Sequence, residues 1–117
     1  MAYKSILTIV TNPDQLSQSL DPAIALARRE GAHLDVLCLG IDRTQTGFYY
    51  AGATAMILQE SLNRAQEEAE ATSQAVAARM QKEDIPWGSG TAVAQIAAVA
   101  HLVADWARYA DLVVLPR

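Results

Sequence analysis

Two textures alternate along this chain. Runs of apolar residues with little polar interruption stand at Ser5–Val10, Leu34–Leu39 and Asp111–Leu115. Such runs fit strands buried on both faces of a parallel sheet. Between them, apolar residues recur at spacings of three and four. Leu20, Ile24 and Ala27 share one helical face, with Arg28, Arg29 and Glu30 near the far end. Leu58, Leu62, Ala65, Ala69, Thr72, Val76 and Met80 mark the apolar face of a longer helix, expected from about Met56 to Asp84. Its opposite face carries Glu67, Glu68, Glu70, Arg79 and Lys82. Ile96, Val99, Val103, Trp106 and Ala110 mark a third helix.

The residues between these segments act as punctuation. Thr11-Asn12-Pro13-Asp14 stops the first strand with turn chemistry. Pro22 is tolerated in the first turn of a helix, which predicts a helix start between Ser17 and Asp21. Gly31 stands where a helix ends in a left-handed residue. Gly40 is expected to close the second strand, and Pro86 to stop the long helix. Trp87–Val93 reads as a third strand whose two glycines place it at a sheet edge. The order is βαβαβαβ. Helix-length crossovers between strands imply an α/β fold, a doubly wound parallel sheet in three α/β/α layers.

Composition narrows the function classes. A length of 117 residues predicts one domain. Half the residues are hydrophobic (51%) and 19% are charged, which is globular rather than disordered composition. The formal net charge of −4 argues against a nucleic-acid partner. No apolar run approaches the ~20 residues of a membrane span, and the short run after Lys4 is no secretory signal. The chain is expected to be cytoplasmic, without a membrane partner. A lone cysteine, Cys38, excludes a disulfide framework, and His33 and His101 do not suggest a metal site.

Motifs for known chemistries are missing. There is no G-x-G-x-x-G after the first strand, no G-x-x-x-x-G-K-[ST] and no G-x-S-x-G. Acidic residues suited to a phosphoacceptor do not follow the first and third strands. Catalysis therefore has little support in the sequence. Asn12 and Asp14 read as caps of the turn and the following helix, with contact of Thr11 and Asn12 to a ribose or phosphate as the alternative. Phe48, Tyr49 and Tyr50, in the long connection over 41–55, suit core or subunit packing, or a lid or stacking wall over a ligand cleft. His101 and Asp105 are spaced for a surface pair. Cys38 suits a small buried hydrophobe, and Trp87 and Trp106 suit core or interface packing.

The pieces in their order resemble the universal stress protein family. Lys4-Ser5-Ile6-Leu7-Thr8-Ile9-Val10 is similar to its first strand. Residues Ala23 to Leu34 resemble its A-x-x-L-A-x-x-x-G-A-x-L join of helix to strand, and Asp35-Val36-Leu37-Cys38-Leu39 its second strand. Ala110-Asp111-Leu112-Val113-Val114-Leu115 resembles the A-D-L-I-V-M lead into its phosphate loop.

The resemblance implies strand order 3-2-1-4-5, with the fifth strand missing from this chain. It also implies a ligand site at the switch point between strands 1 and 4, where many members bind ATP. The matching positions are Ile9, Val10 and Thr11 after strand 1, Leu39 at the adenine-contacting end of strand 2, and Leu115 and Pro116 after strand 4. Thr11 stands where the family has Asp, and Pro116 where it has Gly. The glycine-rich phosphate loop would follow Leu115, but the sequence stops at Arg117. The resemblance therefore implies a stress-response binding domain that is the front part of a longer or tandem-domain protein. ATP or another adenine nucleotide is the candidate cofactor. Strand 4 would lie at an edge, to be covered in a homodimer or by a partner domain.

Overall fold

The computed structural model describes residues 4–42 and 54–115. The connection carrying Phe48, Tyr49 and Tyr50, and the candidate Pro116, lie outside the described residues. The chain runs β1 (Ser5–Val10), α1 (Leu16–Glu30), β2 (His33–Asp42), α2 (Thr54–Met80), β3 (Trp87–Gln95), α3 (Val99–Ala107) and β4 (Leu112–Val114). The strands form one sheet in the order β3-β2-β1-β4, with every pairing parallel. This is the doubly wound α/β arrangement expected from the alternation, with β3 at an edge as its glycines indicated.

Alternation along β1 sorts the core into two layers. Ile6 and Val10 face α1 and α2, where they pack with Leu20, Ala23, Ile24, Ala27, Val76 and Met80. Leu7 and Ile9 face α3, where they cluster with Leu37 and Leu39 beneath Val99, Leu102, Val103 and Trp106. The chain steps from β1 to β2 to β3 with both helices on one face. It then crosses back over the sheet, through α3 on the other face, to place β4 beside β1. Asp111 locks that return: its Oδ2 accepts from Lys4 N at 2.8 Å and Ser5 N at 3.1 Å, and its own N–H donates to Ser5 O at 2.9 Å.

Several boundaries differ from the sequence reading. α1 begins at Leu16, because Asn12 caps a single 3-10 turn at Pro13–Gln15 that launches the helix early. Pro22 therefore sits in the second turn rather than the first. It lies on the exposed side of the helix, one turn after the equally exposed Gln18. α1 ends as expected, with Gly31 left-handed at φ 63°. α2 stops at Met80 rather than Asp84, because Glu83 and Asp84 leave the helix to meet α1. Arg28 donates to Glu83 at 2.6 Å and to Asp84 at 3.2 Å, while Arg79 pairs with Glu83 and with Asp21 at 3.1 Å. Hydrogen bonds from Arg79 and Arg28 hold the Glu83 carboxyl below its ordinary range. β3 extends to Gln95, and α3 opens only at Val99 after a 3-10 turn at Ile96–Ala98.

The largest departure is at Gly40. β2 does not close there but runs on to Asp42. Cys38, Gly40 and Asp42 lie on the α2 side, and α2 comes so close at Gly40 that a Cβ would stand 2.0 Å from the Ala65 carbonyl oxygen. The glycine is needed for close approach between strand and helix, not for a turn. At Gly88 a Cβ would meet nothing nearer than Asp35 Oδ1 at 3.4 Å. Gly40→Ala is thus expected to cost about 3 kcal/mol or more, by forcing α2 off the sheet. Gly88→Ala should change stability by less than about 0.5 kcal/mol. Urea unfolding midpoints of the two variants check this contrast.

Candidate functional site

In an open α/β sheet the chain leaves a crevice where neighbouring strands are wound in opposite directions. Here that point lies between β1 and β4. β1 stays paired with β2 as far as Val10 opposite Cys38, but its ladder with β4 stops at Thr8 opposite Val114. Among the described residues the β1–β4 pairing ends there. Thr8 stands at the last described pairing of β1 with β4. Its buried Oγ1 donates to Val114 O at 2.7 Å, so the one polar side chain of the otherwise apolar stretch Ile6–Val10 is satisfied by β4 itself. Behind it, Ser19 Oγ on α1 is buried with no hydrogen-bond partner among the described residues.

The sequence candidates distribute unevenly around this opening. Ile9 and Leu39 lie on the α3 side and are almost fully buried, at 7% and 1% exposure. Val10 lies on the opposite face, in the α1–α2 core. Thr11 is half-buried, and its Oγ1 donates to Gln15 Oε1 at 2.7 Å. The Asn12 side chain accepts from Gln15 N at 3.1 Å, which is the capping role expected of it. Leu115 is exposed just past β4. The structure thus brings Ile9 and Leu39 together, holds Thr11 in its own turn, and leaves Leu115 open at the rim.

A pair that the sequence reading missed lies at the same end of the sheet. Asp42, 6% exposed, ends β2 on the α2 side and accepts from Ser61 Oγ at 2.5 Å. The signal was available in the alternation, since a strand continuing through Gly40 carries residue 42 onto the face of residue 38. Reading Gly40 as a stop concealed it.

Other candidates resolve into structural roles. Asp105 pairs with Arg108 at 3.5 Å, not with His101, so the expected partner is corrected. Trp87 packs against the α1–α2 core and Trp106 against the α3 side, both half-buried. Cys38 is fully buried in the α1–α2 core, and desolvation pushes its thiol from 9.0 up to about 11, with the charge of Glu70 adding to the effect. A thiol so raised is protonated at neutral pH and is a poor nucleophile.

A folded-state pKa above the unfolded value means that the folded chain holds this proton more tightly. The stability from Cys38 is therefore complete below about 9 and is lost as pH rises through about 11. Cys38→Ala is expected to unfold at lower urea than wild type at pH 8, because it leaves a small core cavity. It should also lose less stability than wild type between those two pH values. Parallel urea titrations of the two proteins check both signs.

Among solved structures, the chain aligns with universal stress protein UspA from Lactobacillus plantarum at a TM-score of 0.70, covering 98% of this chain and 77% of that one, with 22% identity. It also aligns with protein Rv1636 from Mycobacterium tuberculosis H37Rv at a TM-score of 0.48, covering 99% and 72%, with 20% identity. No family model matches the sequence, and no curated protein matches it. At this identity the likeness is one of fold: the chain has the architecture of UspA over nearly its whole length.

Proposed function

We propose that this chain is a non-catalytic binding and regulatory domain of the universal stress protein kind, acting at the crevice between the carboxyl ends of β1 and β4. The observation that carries this reading is the match in fold to UspA over 98% of this chain, together with a strand order whose switch point falls between β1 and β4. Nucleotide binding is not part of it. The polar side chains after β1 are engaged in their own turn, Thr11 with Gln15 and Asn12 as its cap. Leu39, at the expected adenine-contacting end of β2, and Ile9, at the end of β1, are buried beneath α3.

Calorimetric titration with Mg-ATP, followed by a phosphate-release assay, tests the reading. The expected result is no saturable heat up to about 1 mM and no turnover above background. A micromolar dissociation constant for ATP, or for another adenine nucleotide, would replace it with an ATP-binding stress domain. Measurable turnover would overturn the non-catalytic assignment.

A second reading rests on β4. Its three residues, Leu112–Val114, are all apolar, and among the described residues it pairs only with β1. An uncharged edge strand of this kind is a template for pairing with another chain. In this reading the domain assembles as a homodimer, or on a partner domain, through the outer edge of β4. Sedimentation velocity should then show dimers for wild type and monomers for Val113→Lys and for Leu115→Lys. Leu115 is 56% exposed, so the second change spares the core. A monomeric wild type would remove this reading.

A further inference from the structure

At the other end of the sheet, away from the crevice, a cleft of about 420 Å³ opens beside the C-terminal end of α3. Leu7 and Asp35 stand opposite each other on β1 and β2, near the strands' amino ends. They line the cleft with Asp105 and Trp106 of α3 and with Tyr109 and Ala110 of the turn into β4. The volume is of the order that suits a small molecule (about 300–1,000 Å³). The lining combines two carboxylates with two aromatic rings and an aliphatic floor.

We propose that this cleft binds a small organic cation, an ammonium or guanidinium group carried on an apolar body. The charge is met by Asp35 and Asp105, and the body lies against Leu7, Trp106 and Tyr109. The indole is part of a built wall. The tip of its six-membered ring occupies the space above Gly90, where a Cβ would come within 2.5 Å of Cη2. A cation is attracted both to carboxylates and to the faces of Trp and Tyr rings, which an anion is not.

Bases already stand near both carboxylates. His33 Nδ1 lies 3.3 Å from Asp35, and Arg108 Nη2 lies 3.5 Å from Asp105. Both pairs are open to solvent, the Asp35 side chain being 44% exposed and that of Asp105 54%. Pairs of this kind hold weakly and exchange for a better-placed cation. The net charge of −4 favours approach of a cation over the whole molecule. This site stands apart from the crevice and does not depend on the reading given to it.

The test is a titration of the full chain with phenethylammonium chloride, followed by two-dimensional NMR at the Trp106 indole N–H and the Tyr109 amide. The neutral 2-phenylethanol and the anionic phenylacetate serve as matched probes. Saturable shifts with phenethylammonium are expected, with affinities for the other two at least about tenfold weaker. Asp35→Asn and Asp105→Asn keep the side-chain shape, and each should weaken binding about fivefold or more. Arg108→Gln, at an exposed residue, should strengthen binding by releasing Asp105. Equal binding of the alcohol, unchanged affinity in both Asn variants, or no shift at about 10 mM probe would overturn the proposal. Sedimentation separates the two sources of such a cation. Self-association of wild type that disappears in the Asp35→Asn/Asp105→Asn double variant would assign the cleft to a basic side chain of a second copy. That outcome would overturn the small-molecule reading.

Discussion

β1 is the strand on which the fold depends. It is hydrogen-bonded to β2 along one edge and to β4 along the other, and its central residues are buried on both faces. A strand in that position cannot carry an unpaired polar group without a desolvation cost of about 1–3 kcal/mol. That constraint explains the stretch Ile6-Leu7-Thr8-Ile9-Val10, and why its one hydroxyl is tied to Val114 O. The same position makes β1 the point where the winding reverses. α1 and α2 fall on one face and α3 on the other, so the carboxyl-end crevice follows from the path of the chain.

The two faces of the sheet are not finished alike. The α1–α2 face is closed by side chains with almost no exposure, by the Gly40–Ala65 approach, and by the Arg28–Glu83–Arg79 network at its edge. Among the described residues, the buried cluster on the α3 face comprises Leu7, Ile9, Leu37 and Leu39, and no residue of α3 is itself buried. A nine-residue helix of about 13 Å (1.5 Å per residue) covers less of the sheet than two helices of 15 and 27 residues. Stability is therefore concentrated on the α1–α2 face. Half-buried apolar side chains next to open carboxylates are concentrated on the other.

The elements legible in the sequence were those set by local chemistry. The apolar runs of β1 and β2, the heptad-like positions of α2 from Ala65 to Met80 and the left-handed Gly31 all report directly on period and backbone. What could not be read was set by distant neighbours. Gly40 looks like a strand terminator because its reason for being glycine is Ala65, far along the chain. Pro22 looks like a first-turn residue because the 3-10 turn at Pro13–Gln15 extends the helix ahead of it. Asp105 offered His101 at i−4, yet tertiary placement selected Arg108. At the candidate site, the strand order implied by the resemblance is the one observed, with β4 beside β1. It did not reveal that Ile9 and Leu39 are sealed while Leu115 is open.

α3 links the two ends of this less finished face. It starts past the carboxyl end of β3 and finishes before the amino end of β4, so it runs back across the sheet from the crevice side to the cleft side. Val99 and Val103 pack on the cluster that holds Ile9 and Leu39, while Trp106 in the same helix lines the cleft over Leu7. A short helix without a buried residue is held less firmly than α1 or α2, because little apolar area resists its displacement. An occupant that fixes Trp106 therefore restrains the helix that covers Ile9 and Leu39. Trp106 beside the amino-end cleft and the residues that cover Ile9 and Leu39 thus belong to one short helix, and the packing of either end depends on where that helix sits.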